Sequence, residues 1–537
     1  MKRTSYLKSL SSDFPASIVV FLVALPLCLG IALGSNAPLF SGLIAGIIGG
    51  IVIGFLSGSQ LSVSGPAAGL TAIVVVAIAK VPSFEAFLLA VVICGIIQLI
   101  LGFLKAGFIA DYVPGCVIKG MLAAIGVILI LKQIPHLVGY DANFLGDESF
   151  QQKNNENTFT SIINSIWHIT PVAVAIGVIG LLFQIGWEKF VAKKKGFIKL
   201  IPAPLVVVLI GVVINEYFKA TSPAYAISAE HIVNIPVAQS ANEFFSFFTF
   251  PDFSHAFNKE VLIAGVTLAL VASLETLLCI EAVDDLDPYQ RVTDKARELK
   301  AQGLGNMISG LIGGLPITSV IVRSSANLNA GAKTKTSAIM HGVLLLLCVA
   351  FIPTILNLIP KSALAAVLIF TGYKLAKPAL FKQFYTKGWD QFVPFVVTIV
   401  AILLTDLLIG VLIGIAVGLF YVIRSNFKTS VFVVKDESKY LFRLRKDVSF
   451  LNKPIIKNSL EEVPENATAI IDVSRADFLD KDVIEVIEDF KKHAHLKNIK
   501  VLVHYNNFQQ HIFGEETDDS EFTINPNKPE KKVEKAA

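Results

Sequence analysis

Two charged residues stand where an apolar environment makes charge expensive. Glu275 lies in the run Leu268 to Ile280, which carries no other charge, and Arg323 lies in Val320 to Ala326. A carboxylate at the centre of a membrane span costs about 3 kcal/mol on insertion scales, so it is retained for a reason. Glu275 is a candidate for holding a coupling cation or a proton; a structural ion pair, or a side chain snorkelling to the surface, is the alternative. Arg323 has two readings, a fixed cation beside an anion site or the structural partner of Glu275. Four acids, Glu281, Asp284, Asp285 and Asp287, follow Glu275 and read as a solvated face. His136, His168 and His341 are isolated in sequence and suggest no role. The five cysteines, Cys28, Cys94, Cys116, Cys279 and Cys348, stand singly in apolar segments, without metal-ligand spacing.

The second chemical signal is a pair of breaks. Ser64-Gly65-Pro66-Ala67-Ala68-Gly69 opens an apolar run ending at Lys80, and Gly313-Gly314-Leu315-Pro316-Ile317-Thr318 opens one ending near Gly331. About 15 residues make a helix of only some 20 Å, too short to cross a bilayer alone. Paired Gly/Pro-interrupted short segments in corresponding positions of two halves point to a transporter's binding site. If extended stretches (Leu61 to Ser64 and Ile317 to Ser319) lead to mid-membrane, the two short helices start there. Their unsatisfied N–H groups and positive dipole ends then converge, and such a place suits an anion.

These residues need a scaffold, and the composition names its class. The chain has 537 residues, 54% hydrophobic and 16% charged, against roughly 45 to 50% apolar and about 25% charged in soluble domains. The excess is confined to residues 14 to 425. Fourteen apolar segments are expected, beginning near Phe14, Leu39, Pro66, Phe84, Val113, Ile166 and Leu200, then Lys259, Ala296, Thr318, Ser337, Ser362, Phe392 and Asp406, the last ending near Arg424. The first is read as a retained span. The broken segments are third in each seven, so the second half is an inverted repeat of the first.

Orientation follows the cations of short loops. Lys2, Arg3, Lys8, Lys105, Lys189, Lys193 to Lys195, Lys199, Lys333, Lys335, Lys374, Lys377, Lys382, Lys387, Arg424 and Lys428 fall on one side. The loop from Gln133 to Ser165 holds Asp141, Asp147, Glu148 and Glu156 against Lys153 on the other. Both termini are expected in the cytoplasm, with the chain in a bacterial-type inner membrane. The net charge of +4 implies no nucleic-acid partner. The expected domains are 1–428, a transmembrane unit; 429–513, a small cytoplasmic α/β unit; and 514–537, a disordered polar tail. In the α/β unit, strands are expected at Tyr440 to Leu444, Ala469 to Val473 and Lys500 to Tyr505, with a helix from Asp482 to about His493.

Taken together, Ala24-Leu25-Pro26, Ser64-Gly65-Pro66, Leu274-Glu275, and Gly313 to Thr318 leading to Arg323-Ser324 and Asn327 resemble the SulP family of inorganic anion transporters. The likeness covers roughly residues 10 to 510. It implies an all-α polytopic membrane domain of fourteen segments as 7+7 inverted repeats, divided into core and gate domains, a C-terminal STAS domain and a homodimer moving by an elevator mechanism. It places the anion between Ala67, Ala68 and Gly69 and the facing Val320, Ile321 and Val322, with Arg323 beside them. It gives Glu275 and Cys279 the coupling position for Na+ or H+, with no other cofactor. Cys279 stands where a hydroxyl often helps hold sodium; Leu27 replaces the Gln of many members, and this departure resembles the bicarbonate-transporting branch. Lys481 replaces the serine that phosphorylatable relatives carry, so switching by phosphorylation is not expected there, and the STAS-like unit is shortened after Tyr505.

Two other functions fit parts of the pattern. A nucleobase carrier of the same architecture would use carboxylates on both the eighth and tenth helices, where this chain has Arg323 on the tenth. A membrane sensor without transport would leave Glu275 and the paired breaks without purpose. The sequence contains no nucleophile triad, metal motif or phosphate loop, so an enzyme is not expected.

Overall fold

The computed structural model describes residues 6–145, 147, 150–152, 156–191, 201–237, 240–429, 431–436 and 438–505. Lys2, Arg3, Glu148, Lys153, Lys193 to Lys195, Lys199 and the tail 514–537 lie outside them. A helix stands at each of the fourteen expected segments. In chain order they are α1 (Tyr6–Gly34), α2 (Leu39–Ile48), α3 (Thr71–Lys80), α4 (Phe84–Phe103), α5 (Gly115–Leu137), α6 (Pro171–Gly186), α7 (Ala203–Thr221), α8 (Lys259–Leu286), α9 (Lys295–Leu311), α10 (Ile321–Asn329), α11 (Thr336–Phe351), α12 (Lys361–Leu375), α13 (Trp389–Leu404) and α14 (Leu407–Thr429). Among the described residues nine helical stretches are long and apolar enough to cross a membrane, and three more are apolar but shorter. The other two, α9 and α10, are rich in buried polar residues. The chain is a multi-pass membrane protein.

Several helix starts are fixed by their own side chains. Ser83 accepts from Ala86 N, Asn258 from Glu260 N and Asp294 from Arg297 N, satisfying donors that the first turn leaves free. The starts of α3 and α10 lack any such cap.

The helices sort into two packing groups. In one, α4 lies along α8 and α9, while α1 lies along α2 and α11; in the other, α5 packs on α12 and α13, and α12 also packs on α6 and α7. Gly95 of α4 and Gly303 of α9 let those backbones touch: a Cβ on Gly95 would stand 2.5 Å from Gly303 O. Small residues allow this approach where lipid supplies no hydrophobic drive.

Between α2 and α3 lies a short strand, β1 (Ser64–Pro66), and between α9 and α10 its counterpart, β2 (Ile317–Ser319). They pair antiparallel, Ser64 opposite Ser319, Gly65 opposite Thr318 and Pro66 opposite Ile317. The extended stretch before α3 thus centres slightly later than Leu61 to Ser64, while the one before α10 falls where expected. The pairing joins the two halves of the chain at their breaks.

The chain divides into two compact units inside α14, residues 1–417 and 418–537. The second contains a four-stranded sheet in the order β3 (Val431–Asp436), β4 (Lys439–Val448), β5 (Thr468–Leu479), β6 (Lys500–His504). β3 and β4 are antiparallel, and β4, β5 and β6 are parallel. Helices α15 (Lys453–Glu461) and α16 (Lys481–His493) complete it, with Phe442, Ile456, Ile471, Val483 and Ile487 in its core. β3 and α15 are absent from the sequence expectation. Val431 to Asp436 ends in two charges, and α15 opens on Lys-Pro, so neither has a clean period.

Candidate site at the crossing of the two half-helices

The ladder is held from behind by polar side chains. Asn306 Oδ1 accepts from Ile317 N at 2.6 Å and Asn306 Nδ2 donates to Ile317 O at 2.9 Å and to Gln98 Oε1 at 2.7 Å. Asn327 Nδ2 donates to Leu61 O at 2.9 Å, Val63 N to Ser324 Oγ at 2.9 Å, and Val320 N to Val63 O at 3.0 Å. Buried backbone must find partners, and here side chains from α9 and α10 supply those that a two-strand ladder lacks.

From this ladder both short helices depart. Ala67 (φ −107°, ψ 135°) is extended and buried, and Ala68, Gly69 and Leu70 form one 3₁₀ turn before α3. Val320 (φ −116°, ψ 119°) is the extended residue before α10, whose Ile321 and Val322 are buried. With neither start capped by a side chain, the leading N–H groups carry the positive ends of two helix dipoles to the border of one ladder. Val320 packs against the apolar clusters on both sides, one containing Ala67, the other Ile321, Val322 and Cys279.

Both charged candidates reach this crossing. Arg323, 0% exposed, runs back along the ladder, where Nη2 donates to Pro66 O and to Cys28 Sγ, each at 3.4 Å. Its Nε and Nη1 are buried and have no hydrogen-bond partner among the described residues. A Cβ on Gly65 would stand 1.9 Å from Nη1, so only glycine admits the guanidinium. Glu275, 9% exposed, lies against the turn that opens α3: a Cβ on Gly69 would stand 3.0 Å from its Oε1. The next residue, Thr276, accepts from Ser319 N at 3.3 Å. Arg323 makes its hydrogen bonds to a carbonyl and a thiol, not to a carboxylate. Cys279 is buried one turn after Glu275.

The sequence of the transmembrane unit conceals several polar residues. Glu298, Gln302 and Asn306, spaced by four along one face of α9, are all fully buried. Glu298 accepts from Ser57 Oγ and Gln302 Nε2, and Gln302 Nε2 also donates to Ser64 Oγ at 2.7 Å. The i, i+4, i+8 spacing was the signal; Lys295, Arg297 and Lys300 nearby disguise Glu298 as a surface residue. The four acids after Glu275 are partnered rather than simply solvated. Glu281 meets Lys295, Asp285 meets Lys119 at 3.1 Å, Asp287 binds Arg291, and Asp284 accepts from Thr293 N and Oγ1 at 2.7 Å.

His136 is not isolated in space. Asp141 accepts from His136 Nδ1 and, at 2.6 Å, from His231 Nδ1. Burial alone would raise the Asp141 pKa, but the two imidazole hydrogen bonds outweigh it and hold the carboxyl below its usual range.

The sequence pattern of the sulfate permease family matches residues 10–418. The chain belongs to that family. It is a family of transporters, not enzymes. Among its relatives, YvdB of Bacillus subtilis (strain 168), named as a sulfate transporter, is 25% identical over 410 residues, 74% of this chain and 71% of that one. The bicarbonate transporter BicA of Picosynechococcus sp. (strain ATCC 27264 / PCC 7002 / PR-6) is 23% identical over 388 residues, 70% of this chain and 64% of that one. The overall structure of SLC26A9 matches this permease-family chain with a TM-score of 0.66 at 17% identity, over 93% of this chain and 85% of that one. The transmembrane domain of a cyanobacterial BicA matches with a TM-score of 0.53 at 20% identity, over 77% of this chain and 98% of that one. At these identities the structural matches establish the fold.

Proposed function

We propose that this permease is a secondary active transporter of a small inorganic anion, bicarbonate or sulfate, bound where β1 and β2 cross. The observation that carries this reading is the concentration of unpaired positive character at one buried place: two uncapped helix starts and a guanidinium with two unpartnered nitrogens. Each helix start is worth about half a positive charge. Together with Arg323 they form a site that water satisfies only partly and an oxyanion satisfies well. The residues in contact are Ala67, Ala68, Gly69, Val320, Ile321 and Val322, whose side chains offer no hydrogen bonds, so the backbone does the recognition.

Glu275 and Cys279 hold the coupling ion, Na+ or H+, beside Gly69. The two packing groups support an elevator in which the first group, which α3 and α10 join by packing on α8, moves against the group containing α5, α12 and α13. Fourteen membrane crossings, an inner-membrane location, cytoplasmic termini, a homodimer and a STAS role for the C-terminal unit belong to the same reading. A nucleobase carrier is disfavoured because Arg323 stands on α10. The test is uptake of labelled bicarbonate and sulfate into proteoliposomes under imposed Na+ and pH gradients. Gradient-dependent accumulation of one anion is expected; no uptake of either, by protein that remains folded, would reject the reading.

A further inference from the structure

A second concentration of positive charge lies in the C-terminal unit, within the sheet. β4 and β5 place Arg445 directly opposite Arg475, between register shifts at Arg443/Arg445 and Lys446/Asp447. Lys446 follows with φ 58°, a left-handed conformation that non-glycine residues rarely adopt. With Phe432 of β3, these three cations line a surface cavity of about 370 Å³. The Arg445 guanidinium lies 4.8 Å from the Phe432 ring centre, and its Nε is buried without a hydrogen-bond partner. The same strand pair neutralises an arginine where an acid is at hand: Arg443 Nε donates to Asp472 Oδ2 at 2.9 Å. Among the described residues no carboxylate pairs with Arg445, Lys446 or Arg475.

Like charges set opposite in a sheet repel, and a left-handed lysine is strained backbone of the kind that gathers at ligand sites. Both features persist here, and among the described residues neither has a counter-charge. We propose that this cavity is an anion site of its own, separate from the transport site, and that it takes a phosphate group. Two guanidinium forks match phosphate oxygens, the lysine adds a point charge, and the Phe432 ring offers an apolar wall to the substituent. The phosphate has two sources. Phe432 follows closely on Arg424, where the apolar stretch of α14 ends, so the chain path allows an anionic lipid headgroup; a soluble pyrophosphate or phosphomonoester is the other.

The test uses the full chain in neutral detergent. Binding of inorganic pyrophosphate is titrated, and retention of phosphatidic acid against phosphatidylcholine is read by native mass spectrometry. The double variant R445Q/R475Q should weaken binding by roughly a hundredfold or more, the loss of two charged hydrogen bonds. The control K497Q/K500Q, which removes the same charge elsewhere on the unit, should bind like the parent. Arg445→Lys with Arg475→Lys keeps the charges and should retain measurable binding, which guards against misfolding as the cause. Phosphatidic acid retained by the parent, lost in R445Q/R475Q and displaced by pyrophosphate assigns a lipid source; pyrophosphate binding without lipid retention assigns a soluble one. Equal binding by the parent and R445Q/R475Q, or equal loss in the lysine control, overturns the proposal.

Discussion

At the scale of residues, the account rests on where two charges go. Arg323 is legible in the sequence as a cation in an apolar run, but only its place in the fold separates its two readings. Its donors run to Pro66 O and Cys28 Sγ, so it is not held by a carboxylate. Arg323→Gln should therefore fold and should lower anion affinity roughly tenfold to a hundredfold, the value of one charged hydrogen bond, as measured by titration of the purified protein. Gly65→Val should do comparable harm, since a Cβ there meets Nη1 at 1.9 Å and evicts the guanidinium. Glu275→Gln keeps size and most hydrogen bonding, so binding should survive while gradient-driven accumulation is lost. Full accumulation by this variant would remove Glu275 from coupling, and rescue of a poorly folded Gln variant by adding Arg323→Gln would return the pair to a structural role.

At the scale of elements, both Gly/Pro breaks were readable because their short runs cannot span a bilayer. Their pairing as a ladder was not, because two three-residue strands have no period of their own and depend on long-range partners. Asn306 illustrates this: nothing local says that its amide will satisfy both polar groups of Ile317. Asn306→Leu should lower stability by about 3 kcal/mol or more, by stranding buried backbone groups, and should reduce the melting temperature in detergent. The Asp141 pair with His136 and His231 was equally hidden, since His231 lies far along the chain. Because the Asp141 pKa is lower folded than unfolded, the unfolded chain binds the extra proton and stability rises with pH. Asp141→Asn should cost about 2 to 3 kcal/mol above the ordinary carboxylate pKa near 4. The difference from the parent should shrink as pH falls below that, a shift that thermal melting across acidic buffers would detect.

At the scale of the whole molecule, a helix stands at each expected segment although α9 and α10 are less apolar than membrane spans, and the change of pattern after Lys428 signals a second unit that begins earlier, inside α14. Which helices group together depends on packing between segments far apart in sequence, and composition cannot carry that. The residues proposed to hold the anion all belong to the first unit, so deleting residues 430–537 should reduce stability, assembly or rate but leave the preferred anion unchanged. Altered selectivity in a well-folded truncated protein would contradict this. The central claim, that the anion is carried on the backbone of the half-helix crossing, is tested most directly at Ala67. Ala67 is buried at the start of that crossing and contributes no side-chain hydrogen bond. Initial rates of labelled bicarbonate and sulfate uptake should be measured in proteoliposomes for the parent and Ala67→Leu, matched for folded protein by melting curve. The parent should take up anion and Ala67→Leu should not; equal uptake by both would place the anion's path elsewhere.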